Sequence, residues 1–166
     1  MSRSLGRALT PELVERFSQR DLPRRLGDAL PFVTVDAEGR PHPMLLSYLE
    51  LRALDATSAG LVILARSRSA GNLVERRTGT LLVIEPEATV YVKMRAVDGP
   101  LPVEGGGDWG LGYFLMEVEE VIEDAAADWE AGMRITQGLR YAPPPTLAEP
   151  WAKATLAALA APRARA

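Results

Sequence analysis

From Thr89 onward the chain alternates, with Val90, Val92, Met94 and Ala96 on one face and Thr89, Tyr91, Lys93 and Arg95 on the other. This is the period-two pattern of a half-buried strand. Other apolar runs flank it. Phe32 to Val35, Pro43 to Leu51, Leu61 to Ala65, Leu81 to Ile84 and Leu111 to Ile122 each have a strand's length. Asp36-Ala-Glu-Gly39 and Glu85-Pro86-Glu87 read as hairpin turns. Leu81–Ile84 is apolar throughout, which predicts cover on both faces. Residues 98–110 read as a Gly/Pro-rich loop.

Helical patterns occupy five stretches. Thr10-Pro11-Glu12 opens an N-terminal helix, with Thr as cap, Pro in the first position and an acid in the first turn. A second helical piece runs to about Leu30, where Pro31 stops it. A short helix spans about Ser69 to Arg77, and Gly79 breaks it. In the tail, Asp124 to about Leu139 is helical in pattern, and Pro143-Pro-Pro145 is a stiff spacer. Thr146-Leu-Ala-Glu149 is a capping box for a last Ala/Leu helix reaching about Ala161. The expectation is a mainly β domain with flanking helices (α+β), six antiparallel strands closing into a small barrel. Residues 1–124 form that domain with its N-terminal helices, and 125–166 are a helical extension of it.

Composition narrows the chemistry. At 166 residues and 47% hydrophobic, the chain makes one domain with a sizeable core. A net charge of −3 points to no nucleic-acid partner. No run approaches the roughly 18 apolar residues of a membrane span. The first residues lack the apolar core of a secretory signal. With no cysteine there is no thiol chemistry, and a cytoplasmic protein is expected. His42 is the single histidine, so no multi-histidine metal site is expected. No residue stands out as a catalytic acid or base, and chemistry, if any, falls to an organic cofactor.

Arg66-Ser-Arg-Ser-Ala-Gly-Asn-Leu73 carries the clearest signal. It follows a buried-strand pattern and opens a helix, so backbone amides and the positive end of the helix dipole meet there. Two guanidiniums (Arg66, Arg68) and two hydroxyls (Ser67, Ser69) add to them, a combination suited to a phosphate. An ordinary Ser-capped helix with exposed arginines fits the same residues. Gly105-Gly-Gly107-Asp-Trp-Gly110 satisfies G-x-G-x-x-G in form, but it leads into a strand and reads as a loop, with Trp109 available to cover a ring. From Glu104 to Glu130 there are nine acids and no Lys or Arg. They read as a solvated face, or one that pairs with the N-terminal arginines (Arg3, Arg7, Arg16, Arg20, Arg24, Arg25) of a second subunit.

The order of these pieces resembles the pyridoxamine 5′-phosphate oxidase-like, FMN-binding split β-barrels over roughly residues 28–122. Asp36, Gly39 and Pro41 match the family's Asp-x-x-Gly-x-Pro hairpin; Ser67-Arg68 and Asn72-Leu73 match its helix start. The resemblance implies a homodimer with FMN at the subunit interface and a small-molecule substrate. It places the flavin ring along Leu46, Ser47, Tyr48 and Ala65, and the phosphate on Arg66, Ser67, Arg68 and Ser69, with Asn72 nearby. Oxidases of the family carry basic residues near Met44, near Leu49 and at Ser69. Those departures argue against pyridoxamine 5′-phosphate as substrate and leave a deazaflavin in play. The implied function is an FMN-dependent oxidoreductase; the alternative is a non-catalytic flavin- or deazaflavin-binding dimer for storage, sensing or structure. The apolar residues of Leu81–Ile84 with Val90, Val92 and Met94 are expected at the dimer interface.

Overall fold

The computed structural model describes residues 2–86, 88–124 and 135–161. Its centre is one antiparallel sheet whose strand order is the key to the rest. Strands β2 (Ala29–Val35), β3 (Pro41–Ser47), β4 (Leu51–Ala53), β5 (Ser58–Leu64), β6 (Thr78–Glu85), β7 (Ala88–Pro102) and β8 (Leu111–Asp124) lie in the order β3-β2-β6-β7-β8-β5-β4. The two ends of that order, β3 and β4, are consecutive in sequence and joined only by a 3₁₀ turn, Tyr48–Glu50. The sheet therefore curls back on itself and stays open at that turn. Counting β3 and β4 as one bent strand recovers the expected six. A short N-terminal strand, β1 (Ser2–Gly6), pairs with β8 in addition.

Alternation places the core. Phe32, Leu46, Leu61, Leu81, Val92 and Phe114 point into the barrel and are essentially fully buried. Val90, Met94 and Ala96 join them, as their spacing predicted. Leu81 and Val83 are buried while Leu82 and Ile84 are only partly so, hence β6 has one fully covered face, not two. Of the residues expected at a dimer interface, Leu81, Val83, Val90, Val92 and Met94 are thus covered by the chain itself, and Leu82 and Ile84 only in part. The exposed large hydrophobics lie elsewhere and include Leu45, Leu64 and Val74.

Helix α1 (Pro11–Arg16) starts as expected, the Thr10 hydroxyl accepting from the Leu13 amide at 3.3 Å. The second helical piece is shorter than its pattern: α2 is only Leu22–Arg25, and Leu30 already pairs with Leu46 in the sheet. Strand β7 runs on to Pro102, taking up Gly99 and Pro100 through register shifts against β8. The helix expected over 124–139 falls largely outside the described residues, and 135–139 are not helical. The last helix, α4 (Pro150–Ala160), is capped at Glu149, three residues later than the capping box suggested. Thr146 instead closes a turn onto the Ala148 amide. Helix α4 lies on the outer face of β5 and β8, where Ala154, Ala158 and Leu159 pack on Val62, Tyr113 and Leu115.

The acidic stretch pairs within the chain: Glu123 with Arg3, Glu120 with Lys93, and Glu117 and Glu119 with Arg95. Its assignment to another subunit's arginines is not needed for these four. Among the described residues there is no group of three or more potential metal ligands, and no helix is long and apolar enough to cross a membrane.

Candidate functional site

Strand β5 ends at Leu64, and the chain turns sharply into α3 (Arg68–Arg76). The turn is held by the Ser67 amide donating to the Leu64 carbonyl (3.0 Å) and the Ala65 amide donating to Gly110 (2.8 Å). Ser67 is the N-cap, its hydroxyl accepting from the Ala70 amide at 3.1 Å and its carbonyl from the Gly71 amide at 3.1 Å. That leaves the amides of Arg68 and Ser69 as the first-turn donors that helix geometry does not close. The Arg66 and Arg68 side chains are exposed beside them, and no acid among the described residues pairs with either. A dianion placed there meets two cations, two amides and the helix dipole. The Ser69 side chain is buried, so it offers its backbone only.

The other half of the site is set by register. Strand β4 pairs with β5 as Leu51↔Leu61 and Ala53↔Ala59. Beyond Leu51 the β4–β5 ladder ends, while η1 (Tyr48–Glu50) still lies against β5 and α3 lies against β3. The 3₁₀ turn breaks the ladder at that point, and β3 leaves β5 to pair with β2. The split in the barrel therefore has the end of β3 with η1 as one lip and the β5–α3 turn as the other.

Side-chain direction does not follow the sequence reading. Leu46 points into the core, and Ser47 caps η1, its amide and hydroxyl both donating to the Glu50 carboxylate at 2.7 and 2.9 Å. Burial raises the Glu50 pKa in spite of those two bonds. Leu46, Ser47 and Tyr48 can thus offer backbone to a ligand at the split, while the outward neighbours Leu45 (50% exposed) and Leu64 (44%) offer apolar surface. A period-two count from Leu46 would have found Leu45. Asn72 is buried, and its amide nitrogen donates to the Thr34 hydroxyl at 2.9 Å. It ties α3 to β2 and does not face the anion position.

Tyr48 leads inward to a network that the sequence did not reveal. Its ring, 2% exposed, stacks on Phe17 at 5.8 Å and lies under the Arg25 guanidinium at 5.2 Å. Its hydroxyl donates to Glu85 Oε1 at 2.5 Å. Glu85 Oε2 is bonded by Arg16 and, at 3.2 Å, by Arg25. Burial, then the bond to Glu85, pushes the Tyr48 hydroxyl well above the ordinary tyrosine range. The one sequence signal was Tyr48 itself, since a tyrosine in a buried strand needs a partner for its hydroxyl. The turn residue is thereby anchored from behind.

Comparison with known structures bears on the fold. No protein-family model matches the chain, and no curated protein matches it by sequence. Among solved structures it is similar to a protein of Lactobacillus delbrueckii assigned by name to the pyridoxamine 5′-phosphate oxidases (TM-score 0.55, 17% identity, 72% of this chain and 98% of that one). It is also similar to an FMN-binding protein of Syntrophomonas wolfei (TM-score 0.53, 12% identity, 70% and 88%). HupZ of group A Streptococcus matches at a TM-score of 0.50 and 12% identity, over 80% and 99%. The fold is that of the pyridoxamine 5′-phosphate oxidase-like split barrels. In this split barrel two of the positions where family oxidases carry basic residues are closed to a ligand: Leu49 and the Ser69 side chain are both buried. Met44, the third, is partly buried against the core.

Proposed function

We propose that this split barrel is a cytoplasmic, FMN-dependent oxidoreductase acting on a small molecule, with the flavin held at the split between the subunits of a homodimer. The observation that supports the reading is that α3 lies against β3 and η1 against β5, with Arg66 and Arg68 exposed at the α3 start beside the split. A flavin mononucleotide has a dianionic end and a flat, largely apolar ring. Arg66, Arg68 and the amides of Arg68 and Ser69 suit the first. Leu45, Leu64 and the backbone of Leu46, Ser47, Tyr48 and Ala65 suit the second. Ser67 and Asn72 then position: Ser67 caps α3, and Asn72 fastens it to β2. Bound there, a flavin supplies the redox chemistry, and the protein supplies placement and exclusion of water.

A second reading is a non-catalytic dimeric module that binds a flavin or deazaflavin. It is favoured by one observation, that the two lips carry no side chain suited to proton transfer. Colour and reduction separate the two. Purified or FMN-reconstituted protein should show oxidised-flavin absorbance that bleaches with a nicotinamide donor under anaerobic conditions. Flavin bound but never reduced supports the module; neither a flavin nor a deazaflavin bound removes both.

A further inference from the structure

A second charged site shares Arg25 and Glu85 with the network behind Tyr48, and the flavin reading makes no use of its outer end. The segment after residue 135 returns to the barrel and is clamped there. The Ala29 amide donates to Leu139 at 2.9 Å and the Tyr141 amide to Gly27 at 2.8 Å, which sets Arg140 opposite Asp28. Arg140 Nη2 reaches to 2.8 Å from where a Gly27 Cβ would stand. A ladder of alternating charge then runs inward. Arg140 Nη1 meets Asp28 Oδ1 at 3.3 Å, and Arg25 Nη1 lies 3.9 Å from Asp28 Oδ2 and 3.2 Å from Glu85 Oε2. Arg16 closes the inner end on Glu85. Three guanidiniums against two carboxylates leave one positive charge unbalanced among these residues. The inner end is sealed, with Arg16 only 12% exposed, whereas Arg140 at the outer end is 56% exposed. Beside that outer end is a cleft of about 280 Å³ lined by Arg25 and Arg140, with Thr136 and Gln137 adding neutral polar side chains.

We propose that this cleft binds a small molecule through a carboxylate or phosphate group gripped by Arg140 and Arg25. Both acids of the cleft are already engaged by arginines, so an oxyanion meets donors and an unbalanced cation, and the guanidinium forks match its geometry. The volume suits a small metabolite-sized anion and excludes a macromolecule.

The test is calorimetric titration of the full chain carrying Arg68→Ala, so that the α3 start contributes little. Inorganic phosphate and citrate are the two probes, with sodium chloride at matched ionic strength as control. Saturable binding of one or both is expected, and the probe that binds says whether phosphate or carboxylate is preferred. Adding Arg140→Gln should weaken that binding tenfold or more. Arg140→Lys, which keeps the charge beside Asp28 but loses the fork, should weaken it at least threefold. Heats equal to the chloride control for both probes overturn the proposal, as does unchanged affinity in both Arg140 variants.

Discussion

The hydroxyl of Tyr48 donates to Glu85 Oε1 at 2.5 Å, joining the lip of the split to the end of β6 across 37 residues of sequence. Glu85 also holds Arg16 and Arg25, so one carboxylate fastens η1, α1 and α2 together. Breaking a buried pair by neutralising one member leaves its partners' charge uncompensated. Glu85→Gln should therefore lower stability by about 3–5 kcal/mol. Tyr48→Phe, which removes one hydrogen bond to a charged group, should cost about 1.5–3 kcal/mol. Urea unfolding measures both; equal and negligible losses would show that the network does not hold the turn.

The Ser47–Glu50 cap gives a pH signature. Burial raises the Glu50 pKa above its unfolded value, so the folded state holds this proton more tightly. Stability contributed by the group is then full below the unfolded pKa and is lost as pH rises through the folded one. Glu50→Gln lacks that titration. The variant should gain stability relative to wild type as pH rises from about 4 to about 7. A stability difference that stays flat over that range, or that moves the other way, contradicts the assignment.

Gly79 on β6 faces the Phe32 ring so closely that a Cβ could not be placed without moving the ring. Phe32 is fully buried in the barrel core and cannot swing away. Gly79→Ala should cost about 1–3 kcal/mol by overpacking, read as a lower denaturation midpoint. Unchanged stability would mean that the core yields at this point.

Much of this was legible in the pattern of residues. Apolar runs, with alternation from Thr89, located the barrel strands, β3 and β4 being read as one, and Ser67 at a strand-to-helix turn located the α3 start. Four features escaped for physical reasons. Strand β1, Ser-Arg-Ser-Leu-Gly, is mostly exposed and carries no periodic signal; its pairing with β8 is long-range. Gly99, Pro100 and Pro102 read as loop residues, yet β7 absorbs them through register shifts. Leu46 looked like a ligand contact by position, but alternation turns its side chain inward and Leu45 outward. Arg16 and Glu85 stand 69 residues apart, and nothing local announces that they meet.

The proposed dimer would use the exposed leucines at the split, Leu45 and Leu64, as its apolar contact. Light scattering should show a dimer at micromolar concentration. Leu45→Asp combined with Leu64→Asp should shift it to monomer, because charge placed in an apolar contact is costly. A wild-type monomer at that concentration rules out a flavin site shared between subunits.

The most direct test of the phosphate-gripping split is titration of wild type and Arg68→Ala with FMN and with riboflavin, which lacks the phosphate. Loss of one charge-assisted contact should weaken FMN by about 1.5–3 kcal/mol, or about one to two decades in Kd. Riboflavin affinity should change far less, and the melting temperature should hardly move because Arg68 is exposed at a helix start. Parallel losses for both ligands, or no binding of either by the wild type, would contradict the account.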